Sequence, residues 1–351
     1  MEFAFTDEQA MIAETARAFF SQNATSAATR AAMAGDGVDR NLWMRFCNEL
    51  GLAGVALPEA HGGAGLGMVE FASVAEAAGA QVAAIPLLGL AAAARAIAAG
   101  GSEVQKSEWL PRLASGQAIA ACEGLPSVSI DGERLTAELD LVPHGGVADV
   151  FVLVSLQGAW IIRADAPGVS IKQHMTMDQT RPLALVSLQS VAADPLADTK
   201  AAIAATQRGG WICLAAEALG GAQACLDRTV AYAKDRVQFG RPIGSFQAYK
   251  HRLADMMIEI EQARSAVYWA ACAVDEGSDE AGLALHAAKS FCADTFAKCA
   301  GDMIQLHGGI GFTWEHDAHL FFKRARAIQS MLGNGNFHRE QIATMVLGEA
   351  A

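Results

Sequence analysis

Between residues 118 and 197 the apolar residues change their period, and that change fixes the outline of the fold. Before it they recur at helical spacing. Thr6, with Gln9 three residues on, opens a helix whose apolar face runs Ile12, Ala16, Phe19, Phe20. Further helices are predicted through Asn41–Leu50, about 69–79 and most of 82–117. Within 118–197 the apolar residues alternate or come in bursts: Ser127-Val-Ser-Ile, Val150-Phe-Val-Leu-Val, Ala159-Trp-Ile-Ile, Gly168-Val-Ser-Ile and Leu183-Ala-Leu-Val. Asp131-Gly132, Gly145-Gly146 and Pro167-Gly168 punctuate them as turns. Beyond, long helices return over 202–235, 247–275, 281–307 and 337–347. In 247–275 the series Leu253, Met257, Ile260, Val267, Ala271 and Val274, set around Arg264, predicts a well-buried helix of a bundle. The expected fold is α+β and multidomain: an N-terminal α-helical domain over 1–117, a small, shortened middle antiparallel β-domain over 118–197, and a C-terminal four-helix bundle over 198–351.

Composition supports that outline and removes several function classes. A chain of 351 residues exceeds one compact core, and 52% apolar residues suffice for a large buried interior. Nine prolines suit long packed helices. A net charge of -12, with no basic patch to offset it, argues against nucleic acid and anionic membrane as partners. Seven cysteines (47, 122, 213, 225, 272, 292 and 299) form no C-x-x-C pair and read as buried, reduced thiols. The N-terminus is acidic and carries no signal-peptide core, and the Ala-rich stretch 82–100 is only weakly apolar and interrupted by Arg95. A soluble, cytoplasmic chain is expected.

Two motifs carry chemistry. Residues 236–256, from Arg236-Val-Gln-Phe-Gly-Arg-Pro to Leu-Ala-Asp-Met, leave one helix, turn through Gly240 and Pro242, and enter the next near Phe246-Gln247. An Arg fork, an aromatic face and amide side chains in such a connection can clamp a phosphate-bearing cofactor, although a polar interhelical loop is more often only a loop. Residues 305–312, Gln305-Leu-His-Gly-Gly-Ile-Gly-Phe, end a helix on Gly308, Gly309 and Gly311 and leave backbone N–H groups open to a ligand. The plain alternative is a helix C-cap.

Taken together, R-x-Q-F-G-x-P-I-x-x-F-Q followed by L-A-D-M, then Q-x-x-G-G-x-G-F some fifty residues on, resembles the C-terminal signature of acyl-CoA dehydrogenases. Glu49-Leu-Gly-Leu-Ala-Gly-Val-Ala-Leu-Pro-Glu with Gly62-Gly63 is similar to the same family's N-terminal pattern. The resemblance implies FAD as cofactor, an acyl-CoA substrate, and an electron-transferring flavoprotein as electron acceptor. It further implies that Arg236, Gln238, Phe239, Gln247, Gln305 and Gly309, with Gly308 beside them, bind the ADP half of a flavin whose ring belongs to a neighbouring subunit.

Against that pattern the losses fall on one side. The family base is a Glu before a Gly-Thr; the corresponding loop here is Leu332-Gly-Asn-Gly-Asn-Phe-His338, with Asn334 in the base position and Asn336 and His338 replacing the flavin-binding Thr and Gln. An amide cannot take up the α-proton. The alternative base position falls on Gly210, followed by Trp211. The flavin-ring loop reads Cys122-Glu-Gly-Leu-Pro-Ser-Val-Ser, and Leu141-Val-Pro-His-Gly-Gly stands where a Trp-Ile-Thr strand is usual. Residues for this chain's own ring and substrate are gone, while those serving a neighbour's flavin tail remain. That resembles the base-lacking subunit of heterotetrameric acyl-CoA dehydrogenases, paired with a homologous subunit carrying the catalytic Glu; several such pairs act on bulky, steroid-derived CoA thioesters. Two alternatives stay open: a self-sufficient homotetramer with an unrecognised base such as Glu123 or Glu217, and a flavin-free structural pseudoenzyme. Glu315-His316-Asp317-Ala-His319 reads as a solvated helix start rather than a metal site, and Lys323-Arg324-Ala-Arg326 as an exposed or inter-subunit face. His338 stands close enough to Asn334 in sequence to touch flavin or CoA.

Overall fold

The computed structural model describes residues 5–124 and 126–348; Leu125, the four N-terminal and three C-terminal residues, and the side chain of Glu123 lie outside the described residues. The chain forms two compact units, one of Met1–Ser26, Ala72–Ala83 and Leu214–Ala351, the other of Ala27–Phe71 and Ala84–Cys213.

Helix α1 (Asp7–Asn23) begins at the capping box read from the sequence: Gln9 N–H donates to Thr6 Oγ1 at 3.2 Å and Thr6 N–H to Gln9 Oε1 at 3.0 Å. It buries Ala13, Ala16, Phe19 and Phe20. Then follow α2 (Ser26–Ala34), α3 (Arg40–Asn48), α4 (Met68–Gly79), α5 (Leu87–Gly89), a π-helical turn (Leu90–Ala94), α6 (Arg95–Gly100) and α7 (Glu103–Ala114). Asp39 caps α3 through the Leu42 N–H, and Ser102 with Gln105 forms a second capping box on α7.

The middle segment holds β1 (Ala120–Gly124), β2 (Val128–Asp131), β3 (Arg134–Pro143), β4 (Val150–Ser155), β5 (Gly158–Arg163), β6 (Val169–Gln173), β7 (Leu183–Ala192) and β8 (Asp194–Pro195). They make two four-stranded sheets, in the orders β1-β4-β5-β8 and β2-β3-β7-β6. Alternate residues of the long strands, among them Leu135, Leu139, Phe151, Leu153, Val186 and Leu188, share one core. Among the described residues all pairings but one of these sheets are antiparallel; β1 runs parallel to β4, with Ala120 opposite Val150. Strand β4 is buried along its whole length, which is why it reads as an unbroken apolar burst instead of an alternation.

The last third consists of α8 (Thr199–Asp235), a hairpin of β9 (Val237–Gln238) and β10 (Arg241–Pro242), α9 (Gln247–Asp275), α10 (Ala281–His307), α11 (Ala318–Ser330) and α12 (Gly335–Leu347). In α9 the buried face is Met256, Ile260, Ala263, Val267 and Ala270, in steps of four and three. Ile260, Val267 and Ala271 are buried as expected, whereas Met257, expected inside, is about half exposed and Met256, one residue earlier, takes the buried position. Among the described residues no helix is long and apolar enough to cross a membrane. Among the described residues no two cysteines form a disulfide, and five of the seven are buried.

Candidate functional site

The first motif folds as a strained hairpin. Val237–Gln238 pairs with Arg241–Pro242, and Ile243 N–H closes its base on Arg236 O at 2.8 Å. The two tip residues both take positive φ, Phe239 at 54° and Gly240 at 76°, the requirement of a type I′ turn. For Gly240 that costs nothing; for Phe239 the clash of Cβ with the following carbonyl costs about 1–2 kcal/mol. No burial offsets it, since Phe239 is 91% exposed. The Arg241 guanidinium lies over the Phe246 ring at 4.0 Å, and the Phe239 ring stands edge-on to Phe246 at 6.3 Å. Arg236, Gln238 and Gln247 are exposed on the same connection.

The second motif ends α10. Gly308 takes φ 62° and opens a 3₁₀ turn, Gly308–Phe312. A Cβ on Gly308 or Gly309 would meet nothing within 4 Å. Conformation calls for glycine at 308, but Gly309 has neither a positive φ nor a close internal neighbour. The space over its backbone is open. Gln305 is exposed beside it.

Contacts between helices bring the two motifs to one end of the bundle. Tyr249, in the first turn of α9, donates its hydroxyl to Leu306 O at 2.9 Å. Tyr232, in the last turn of α8, stacks on His307 with centroids 4.4 Å apart and planes 21° from parallel. Arg252 pairs with Asp302 at 2.8 Å one turn back on α10. Burial pushes the Tyr249 phenol up to about 12, so it remains a donor, and burial lowers His307, which stays neutral.

The Leu332–His338 loop is built differently. Asn334 turns its amide oxygen onto Phe337 N–H at 3.0 Å and serves as the N-cap of α12. Asn336 accepts from Arg339 at 3.0 Å. His338 is fully buried, its Nδ1 2.8 Å from Nδ1 of His286, so it does not reach outward toward a flavin or CoA. Burial first, then Lys289 and His286, drives its pKa down to about 3.

One open alternative and part of one expectation give way here for a shared reason, although Arg326 is exposed as expected. Glu217 and Arg324 are each 2% exposed and face one another at 3.8 Å. Arg324 therefore belongs to an interior ion pair and not to an outer basic face, and Glu217 is its counter-charge, unsuited to be a free base. The stretch at 315–319 is also more engaged than a solvated start. Asp317 takes Arg228 at 3.2 Å and Ser26 at 2.6 Å, and His316 lies 4.5 Å from His307. Among the described residues no group of His, Cys, Asp or Glu could hold a metal ion.

Residues 6–117 match the acyl-CoA dehydrogenase N-terminal domain and residues 192–347 the acyl-CoA dehydrogenase C-terminal domain. Acyl-CoA dehydrogenase IpdE2 of Mycobacterium tuberculosis is 40% identical over 334 residues, 93% of each chain. The chain belongs to the acyl-CoA dehydrogenase family. The members are flavoprotein oxidoreductases of lipid metabolism. Among solved structures, the ChsE4–ChsE5 complex from Mycobacterium tuberculosis is similar with a TM-score of 0.91 at 27% identity, covering 100% of both chains. A variant of the Tcur3481–Tcur3483 steroid ACAD is similar with a TM-score of 0.89 at 31% identity, covering 97% of this chain and 98% of that one.

Two polar clusters of this family member were not legible in the sequence. Lys289, 1% exposed on α10, donates to Ile328 O at 2.9 Å and Gly333 O at 3.2 Å, and burial lowers it to about 8. A lone lysine within Ala287-Ala288-Lys289-Ser290 was the available signal. Glu76 on α4 accepts from Arg264 and from the Tyr268 hydroxyl, each at 2.6 Å, and Arg264 also donates to Gln223 at 2.9 Å. Only the Arg264 end of that network stood out, as a charge inside an apolar stripe.

Proposed function

We propose that the chain is the base-lacking subunit of a heteromeric, FAD-dependent acyl-CoA dehydrogenase that completes the ADP-binding site of a homologous partner carrying the catalytic Glu. One observation carries the reading: the residue in the family's base position, Asn334, is spent as a helix cap, while the strained, exposed Phe239 hairpin is retained. An unused loop would relax to a cheaper residue at its tip. The open space over Gly308 and Gly309 fits close approach by a bulky phosphate-bearing group, and Arg236 is exposed to receive it.

When bound, FAD supplies the acceptor for the β-hydride of the acyl thioester. For this chain's own part, Arg236 pairs with a phosphate as a bidentate fork, and Phe239 lays an apolar face on the cofactor. Gln238, Gln247 and Gln305 donate or accept at the adenosine end, with the Gly308–Gly309 backbone beside them. The proton is taken by the partner, since Glu217 is neutralised by Arg324. The substrate class is a bulky or steroid-derived acyl-CoA, in keeping with the steroid ACAD among the similar structures. The ChsE4–ChsE5 complex supports a two-subunit assembly. Electron-transferring flavoprotein is the acceptor, the compartment is cytoplasmic, and the three segments are 1–117, 118–197 and 198–351.

The test is flavin absorbance per chain, for the protein alone and co-expressed with the acyl-CoA dehydrogenase-like product of a neighbouring gene. A colourless lone chain and a yellow complex with about one FAD per pair are expected, and Arg236→Ala should strip the complex of flavin. One FAD on the lone chain would make it self-sufficient, and a colourless complex would make it a scaffold. Either result overturns the proposal.

A further inference from the structure

We propose that Tyr232, Tyr249 and His307 are positioning residues that lock the glycine turn at 308–312 to the 236–242 hairpin, so that both motifs present to one ligand. The inference rests on the shared-site reading and names the parts that hold that site in shape.

A helix end needs partners for its last carbonyls. The last carbonyls of α10 have no intrahelical donor, because the helix stops at His307 and the chain leaves through the positive φ of Gly308. Gly308 N–H caps Gln305 O, and the next carbonyl, that of Leu306, takes the Tyr249 hydroxyl at 2.9 Å. Thus the end of α10 is completed by a side chain from the first turn of α9, three residues after Phe246. A second tie runs to α8. Tyr232 O accepts the Arg236 N–H at 2.9 Å, and the Tyr232 ring covers His307 at 4.4 Å. One residue therefore touches both motifs, holding the backbone where the hairpin begins and the ring where the glycine turn begins.

His307 is itself fixed. Its Nδ1 lies 2.8 Å from Met303 O, which makes Nδ1 the protonated nitrogen. The near-parallel stack then holds the ring plane. None of the three belongs to the exposed set assigned to the cofactor: His307 is buried, and Tyr232 and Tyr249 are half-buried. A site shared between subunits binds well only if its groups are held within about 0.5 Å. These contacts supply that rigidity from the interior side.

The experiment uses the co-expressed complex, with flavin removed, and has two readouts: FAD affinity and amide hydrogen exchange in 308–312. Tyr249→Phe removes one hydroxyl and no ring. It is expected to speed exchange in the turn and weaken FAD about 5- to 10-fold. Tyr232→Leu and His307→Ala should weaken FAD at least 10-fold, with Tyr232→Phe restoring it, because the Tyr232 ring and not its hydroxyl does the covering. If Tyr232→Leu fails to fold, Tyr249→Phe decides alone. Tyr249→Phe with exchange and FAD affinity within twofold of the parent overturns the inference, provided that Arg236→Ala still loses flavin. If Arg236→Ala also keeps its flavin, the shared-site reading falls and the inference falls with it.

Discussion

Phe239 sits in a conformation that its own chain does not reward. A bulky side chain in the left-handed region, in full solvent, is unfavourable in the isolated chain and becomes useful only when something covers it. Asparagine tolerates that conformation far better. Phe239→Asn should therefore stabilise the isolated chain by about 0.5–1 kcal/mol in denaturant titration while weakening FAD binding in the complex. A variant that loses stability would show that the ring packs within its own chain. Glu217 and Arg324 teach the complementary point. Both are charged and both lie in a helical pattern, yet each is inside because the other is.

At the scale of elements, the loop before α12 is held from two sides. Asn334 caps the helix, and Lys289 reaches from α10 to the carbonyls of Ile328 and Gly333. Asn334→Ala should cost about 1 kcal/mol, whereas Asn334→Asp, with a carboxylate at a helix N-terminus, should be neutral or stabilising. Asn334→Ala should leave turnover of the complex unchanged, because the parent loop bears no base. The histidine pair beneath it sets a pH dependence. His338 titrates near 6.5 when unfolded and at about 3 when folded, so below 6.5 the unfolded chain binds the extra proton. Its contribution to stability is present above 6.5 and is lost as pH falls toward 3. Lys289, lowered from 10.5 to about 8, acts in the same direction, and stability rises with pH across that interval. Thermal unfolding from pH 7 to 4 should show a steeper acid loss for the parent than for His338→Asn. Equal slopes would place the titrating group elsewhere.

For the whole molecule, the proposal makes cofactor binding a property of the pair. Free FAD at about 100 times its dissociation constant should stabilise the complex by about 2.7 kcal/mol and leave the lone chain's melting temperature unchanged. A shift in the lone chain would mean that it completes a flavin site by itself. Much of the rest could be read from local pattern. The bursts at 127, 150, 159, 168 and 183 became β2, β4, β5, β6 and β7, and the run 281–307 became α10. Thr6 with Gln9, and the identities of Arg236, Phe239, Gln305 and Asn334, could also be read directly, since capping and motif spacing involve residues a few positions apart. Periodicity and short spacing thus carried two things: which segments are helix or strand, and which residue types stand ready at the two motifs. The tertiary structure alone decided the parallel partner of β1, the outward turn of Met257, and the inward turn of Arg324 and His338. It alone decided the ties from Tyr232 and Tyr249 to the end of α10. Each of these depends on a contact with a residue far away in the chain, and the period of a segment carries no information about what it will meet.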